Sequence, residues 1–368
     1  MELGNPMSVI QEKGSNEKEN EPYFNFINSI KSDVTKEIYE YNIKIYMKFC
    51  NLVTFRDLLM PNPQTQIIKH LISLREKGLS SNSISTRLNA IYHFYDMNDV
   101  ALNKKKINMF KGEYSRKVVD RAYTHEEIKK ILDISDLRTK IIVLLMASSG
   151  IRIGGLPSLR LRNVEKIDKV YKVTVYEGSN SQYYTFCTPE CASFIDAYLE
   201  FRTRNGEKLN PNSYLIRDQF DITDLEQIRN RSKGISISTI GVLLDTIPLK
   251  VGVRTIDHTS KFNRKEVARA HGFRKFFTTQ LINSKVNSEI REMLLGHKIG
   301  LASCYYRPTQ DEMLNEYSKA IDNLTINEEN RLKLKLEQRV QIEKSQIESL
   351  KADFEKFKSE VLKNRSKK

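Results

Sequence analysis

Two arginines, two histidines and a pair of tyrosines, carried on four short segments, are the residues of this chain that could do chemistry together. The segments are Ser149-Gly150-Ile151-Arg152, His271-Gly272-Phe273-Arg274, Leu295-Gly296-His297 and Cys304-Tyr305-Tyr306-Arg307. A guanidinium is a rigid fork of donors that matches two phosphate oxygens and stays charged at any working pH. Two forks can stabilise the charge that builds on the non-bridging oxygens as phosphorus becomes five-coordinate. A phenol with a pKa near 10 is a weak nucleophile at neutral pH and needs a base beside it, which an imidazole supplies. The set therefore suits attack on a phosphodiester by a tyrosine. The covalent link then conserves the energy of the broken bond, so the chemistry calls for no nucleotide, metal or other cofactor.

Each segment taken alone has a plainer explanation. Arg152 follows the apolar run Ile141 to Ala147 and a Ser-Ser-Gly break, as a surface arginine after a helix would. His271 and Arg274 stand at i and i+3 ahead of Phe276, Phe277, Leu281 and Ile282, the pattern of a solvated stripe on a helix. His297 could close the helix Asn287–Leu295. Tyr305 and Tyr306 are two of 17 tyrosines. A metal held by His271, His297 and Cys304 has no closely spaced ligand pair behind it. The joint order and spacing, not any one residue, favour the chemical reading.

That order resembles the tyrosine recombinase, or phage integrase, family. The stretch from Leu294-Leu295-Gly296-His297 through Tyr306-Arg307-Pro308 is similar to integrases of archaea and their mobile elements, and the resemblance runs from about Tyr123 to Asp322. It implies that a tyrosine attacks the scissile phosphate to leave a 3′-phosphotyrosyl bond and a free 5′ hydroxyl. It further implies that Arg152 and Arg274 bind the non-bridging oxygens, that His271 exchanges the nucleophile's proton, and that His297 donates a hydrogen bond to the transition state. The family's usual separation of nine residues after the last histidine selects Tyr306, while Gly300 in the intervening loop keeps Tyr305 open as the alternative. The implied partners are double-stranded DNA and further copies of the chain, as a tetramer on two duplexes. Strand exchange would integrate or excise a mobile element. Two rivals stay open: a type IB topoisomerase-like enzyme, which makes the same adduct and rejoins the same strand, and a non-catalytic protein that binds and bridges DNA with the same fold.

Two departures from the family pattern favour the non-catalytic rival. An acidic residue commonly stands three positions after the first arginine, where this chain has Gly155. The family also uses a lysine in a β-hairpin as the acid for the leaving oxygen. Val170–Tyr176 and Gln182–Phe186 read as two strands, but the turn between them, Glu177-Gly178-Ser179-Asn180-Ser181, holds no lysine. Lys172 is the nearest candidate and Lys169 the next.

The elements that must position these groups read as mainly α with a small β-sheet. Residues 1–21 are polar and read as disordered. Residues 22–115 read as an all-helical bundle that grips DNA in the resembled family, with helices over Phe24 to Ile30, Lys36 to Leu52, Thr65 to Lys77 and Ser83–Asp96. Residues 116–123 form a linker. Residues 124–322 form an α+β catalytic domain opened by Thr124-His125-Glu126-Glu127, an N-cap with acids in the first turn. Within it, Leu209 to Ile235 and Lys250 to Arg264 read as irregular. Residues 323–368 form a C-terminal helix whose Leu336, Val340, Ile347, Leu350, Phe354, Phe357 and Val361 make a heptad seam interrupted at Glu343. The seam suits either a coiled coil or a helix folded back on the catalytic domain.

A net charge of +14 over 368 residues points to a polyanion. Lys104, Lys105, Lys106, Lys111, Arg116 and Lys117, near the linker, suit phosphate contacts. No apolar run is long enough to span a membrane, so no membrane partner is expected. Four scattered cysteines suit reduced thiols in a cytoplasmic, nucleoid-associated setting.

Overall fold

The computed structural model describes residues 21–112, 120–230, 232–255, 266–300 and 305–365. The chain divides into two compact units, Met1–Lys117 and Val118–Lys368. The expectations for residues 1–20, for Arg116 and Lys117, for Cys304 and for the side chains of Phe357 and Val361 lie outside the described residues, as does most of Lys250 to Arg264.

The first unit is helical in all its described elements: α1 (residues 21–28), α2 (Asp33–Cys50), α3 (Pro63–Glu76), α4 (Ser81–Met97) and α5 (Lys104–Met109). Ser32 and Ser80 cap α2 and α4 by accepting from Thr35 N and Ser83 N. Phe26, Ile43, Tyr46, Ile67, Leu71, Leu88, Phe94 and Tyr95 fill the core.

The second unit is built around α7 (Leu137–Ser149), which follows α6 (His125–Asp133). Its run Ile141 to Ala147 is buried on every side, so this helix is the axis of the unit rather than an amphipathic surface helix. The sheet is an antiparallel meander of β1 (Val164–Ile167), β2 (Val170–Val175) and β3 (Tyr183–Cys187). The first of these strands lies outside the hairpin read from the sequence. Then come α8 (Pro189–Arg204), α9 (Leu225–Arg229), α10 (Ile237–Lys250), α11 (His271–Asn283) and α12 (Ser288–Leu294). The unit ends with α13 (Gln310–Ser318), α14 (Ile321–Leu324) and α15 (Glu328–Arg365). The fold is thus mainly α with a small sheet, as read from the sequence.

The stretch after α8 is irregular apart from α9, and three buried charges anchor it. Arg202 donates to both carboxylate oxygens of Glu207 at 2.9 and 2.7 Å, and Arg217 donates to the same carboxylate at 2.8 Å. Both arginines also donate to backbone carbonyls, at Tyr214, Leu215, Ile228 and Gln227. Burial pushes the Glu207 carboxyl up, but the two guanidiniums prevail and hold it below its ordinary value.

Along α15 the apolar seam stays exposed. Leu336, Val340, Ile347, Leu350 and Phe354 all stand in solvent, so the helix does not bury this stripe on its own unit. Among the described residues, no helix is long and apolar enough to cross a membrane, and Cys50, Cys187 and Cys191 are free thiols.

Candidate active site

The C-terminus of α7 is the anchor of the site. The last carbonyls of a helix lack intrahelical donors, and here separate elements supply them. Tyr317 Oη of α13 donates to Ser148 O at 2.9 Å, and Thr185 Oγ1 of β3 donates to Ser149 O at 3.0 Å. Arg274 Nη1 of α11 donates to Gly150 O at 2.5 Å. Gly150 has a φ of +62°, and a Cβ added there would lie 2.3 Å from the Phe277 ring. Only glycine allows both the left-handed cap and this close crossing of α11. The chain leaves this junction through Ile151, which is buried, and presents Arg152, which is exposed.

On α11, His271 and Arg274 share one face, as their spacing predicts. Arg274 is buried at 7% exposure. Its Nη2 donates to Leu295 O and also to His297 Nε2, at 2.9 Å for the second. His297 Nδ1 stands 2.6 Å from Glu292 Oε2. A guanidinium can only donate, so His297 Nε2 accepts, Nδ1 carries the proton and Glu292 receives it. Burial pushes the Glu292 carboxyl up, while the hydrogen bonds from His297 and Arg291 outweigh this and hold it below its ordinary range. In this arrangement His297 braces Arg274, because its Nε2 lone pair is already engaged.

Arg152, His271, Arg274 and His297 line one cavity of about 350 Å³, together with Ile151, Ile153 and Ala270. A larger adjoining cleft of about 1010 Å³ shares Arg152 and His297 and extends along the β2–β3 turn, with Tyr176, Tyr183, Met293 and Lys298 among its walls. Among the described residues, Arg152 and His271 make no hydrogen bond or ion pair, and both line the cavity. Burial, then the Lys275 and Arg274 charges, push the His271 pKa below its ordinary 6.5, with Asp120 pulling the other way. A neutral imidazole at neutral pH is ready to accept a proton. DNA cleavage is therefore expected to be flat with pH above neutrality and to fall as pH drops through a value below 6.5. A pH–rate profile with its acid limb centred at or above 6.5 would remove His271 from the role of base.

Other sequence candidates do not reach this group. Lys172 on β2 lies on the sheet face shared with Tyr184 and Phe186, where it bonds Gln310 and Glu165, each at 2.6 Å. Strand alternation turns it away from α7, whereas Tyr183 and Thr185 of β3 face α7. Lys169, in the β1–β2 turn, pairs with Glu337 of α15 at 3.0 Å. Neither tyrosine lines the cavity. Tyr305 is 91% exposed and Tyr306 36%. Burial, then Glu312, Glu316 and Glu289, push the Tyr306 phenol pKa up. Of the basic cluster in the first unit, Lys104 is tied to Asp96 at 2.6 Å, Lys105 and Lys106 are exposed, and Lys111 is half-buried.

Three residues went unread in the sequence. Glu292 had a legible signal: a glycine closing a helix returns the chain over its last turn, as His297 N donating to Glu292 O shows. The residue after that glycine therefore lies beside the one five positions earlier. Tyr183 and Lys298 carried no signal in spacing.

A mainly helical scaffold with a small sheet that gathers two guanidiniums and two imidazoles around one cavity defines a catalytic domain for phosphodiester chemistry. Residues 121–312 match the phage integrase family, and the chain belongs to that family. The tyrosine recombinase XerA of Pyrococcus horikoshii is 25% identical over 293 residues, covering 79% of this chain and 88% of the relative. The tyrosine recombinase XerC of Leptospira interrogans is 22% identical over 325 residues, covering 83% and 94%. Among solved structures, the fold is similar to the Tn1549 transposon integrase in complex with circular intermediate DNA, at a TM-score of 0.54 and 16% identity, covering 78% of this chain and 94% of that one. It is also similar to a lambda integrase dimer bound to a core site, at a TM-score of 0.51 and 16% identity over the same shares. The protein is thus a tyrosine-type site-specific recombinase.

Proposed function

We propose that this recombinase exchanges strands of duplex DNA between two sites, integrating or excising a mobile element, through a 3′-phosphotyrosyl intermediate. The observation that carries the reading is the convergence of Arg152, His271, Arg274 and His297 on a single cavity from three segments distant in the chain. In this reading a scissile phosphate enters the cavity and the free donors of Arg152 and Arg274 take its non-bridging oxygens. Tyr306 attacks phosphorus, and its proton passes to His271. The P–O5′ bond breaks, the phosphotyrosyl bond forms, and the 5′ oxygen takes a proton from solvent water as it leaves. His297, held by Glu292, keeps Arg274 aligned. The 5′ hydroxyl of the partner duplex then reverses these steps on the adduct, and the proton returns to the tyrosine. Because Tyr306 lies outside the cavity amid carboxylates, DNA binding must bring its segment to the phosphate. Arginines that offset the growing charge lower the barrier once it arrives.

Lys105 and Lys106, with Lys111, Arg116 and Lys117, would contact the DNA backbone. The exposed seam of α15 would join copies into a tetramer on two duplexes, in the cytoplasm at the nucleoid. The lambda integrase neighbour, seen as a dimer on DNA, supports assembly on DNA at the coarser level. To test the reading, the protein is incubated with plasmids carrying the element's end sequences, crosslinked or not, then denatured and treated with protease. The wild type should leave peptide on DNA, Tyr305→Phe should do the same, and Tyr306→Phe should leave none. Crosslinked samples should show four protomers. Adduct lost only in Tyr305→Phe would transfer the nucleophile, and none with any protein would favour the DNA-bridging rival.

A further inference from the structure

Gly155 stands where the resembled family commonly has an acid beside the first arginine, and the structure shows why none fits. A Cβ at Gly155 would lie 2.8 Å from Val175 Cγ1 and 3.1 Å from the Ile151 side chain. Arg152 therefore lacks a carboxylate partner from this position, yet it shares a cavity with the second guanidinium, and two like charges in one cavity repel.

The group found beside both is the phenol of Tyr183. Its ring lies against the loop that carries His297, since a Cβ at Gly296 would fall 2.5 Å from it. Its hydroxyl is buried and falls short of full hydrogen-bond geometry to any described residue, yet it lies close enough to Arg274 to interact with that guanidinium. The Arg274 and Arg152 charges lower the phenol's pKa against the larger effect of burial. A buried hydroxyl without a full hydrogen bond is uncommon in a finished site. The ring also forms part of the cleft wall that Arg152 and His297 share.

We infer that Tyr183 is a positioning residue for the phosphate-binding arginines. With DNA bound, its hydroxyl completes a hydrogen bond to a guanidinium and fixes the separation of Arg152 and Arg274. A phenol differs from a carboxylate here in one consequential way: it accepts a hydrogen bond without cancelling a charge. Both positive charges therefore remain directed at the phosphate. This inference rests on the recombinase reading.

The test uses Tyr183→Phe, which keeps the ring and its packing and removes only the oxygen. Because that oxygen makes no hydrogen bond of full geometry in the free protein, its loss should leave the melting temperature and the half-saturating DNA concentration little changed. The rate of adduct formation at saturating DNA should fall about 10–100-fold, as for other groups that orient a catalytic side chain. In a double-mutant cycle, Arg152→Lys with Tyr183→Phe should be little slower than Arg152→Lys alone. Wild-type rate in Tyr183→Phe, a rate loss paralleled by a fall in melting temperature, or fully multiplicative effects would each overturn the inference. Absence of adduct with the wild type would instead bring down the recombinase reading, and the inference with it.

Discussion

Arg274→Lys should lower the rate of covalent adduct formation by on the order of 10³-fold and should also destabilise the fold. The catalytic loss follows from replacing a fork with a point charge: removing one preorganised donor from a developing oxyanion costs about 10²–10³ in rate, and the fork geometry goes with it. The structural loss is separate. Arg274 satisfies the carbonyls of Gly150 and Leu295 and braces His297. Each buried acceptor left unmade costs about 1–3 kcal/mol. Arg152→Lys supplies the control. Arg152 is exposed and makes no hydrogen bond among the described residues, so its variant should lose a comparable factor in rate with no change in melting temperature. Single-turnover cleavage and thermal unfolding on the two variants check both halves. Equal stability losses, or none in either, would contradict the division of labour drawn here.

Glu207→Gln is the second large effect, and it concerns folding alone. Its carboxylate is the shared acceptor of Arg202 and Arg217, with side-chain exposures of 4%, 0% and 2% for the three residues. A neutral amide leaves two buried guanidiniums facing each other, and breaking a buried pair this way costs about 3–5 kcal/mol. The pH dependence has the same origin. The folded pKa of Glu207 is depressed, so its contribution is present above the unfolded value of 4.5 and is lost as pH falls through the folded one. Chemical denaturation of wild type and variant at neutral pH measures the difference. A loss under about 1 kcal/mol would show that the two arginines find water or carbonyls instead. Such a variant, where it folds, should keep its cleavage rate, since the triad lines neither cavity.

Much of this protein was legible from residues alone. Ile141 to Ala147 stood out as the apolar run of a helix, Thr124 stood out as an N-cap with acids in the first turn, which the structure closes as a capping box with Glu127, and the spacing of His271 and Arg274 placed both on one face of α11. These signals are local: they depend on helical period and capping chemistry within a few residues, so a sequence carries them whole. The seam on α15 was legible as a pattern but not as an outcome, because a stripe of apolar residues does not state what covers it.

Residue types and their spacing establish which chemical groups are available, two guanidiniums, two imidazoles and a phenol, and the helices that carry most of them. Which of these groups meet is settled by packing between distant elements. Lys172 looked serviceable from its place in the chain, yet strand alternation turns it to the other face of the sheet. Glu292 and Tyr183 looked ordinary, yet a helix-ending glycine sets one beside His297 and the packing of β3 against α7 sets the other beside both arginines. Such meetings depend on contacts between elements distant in sequence, where a single missing Cβ, at Gly150, Gly155 or Gly296, decides which side chain fills the space.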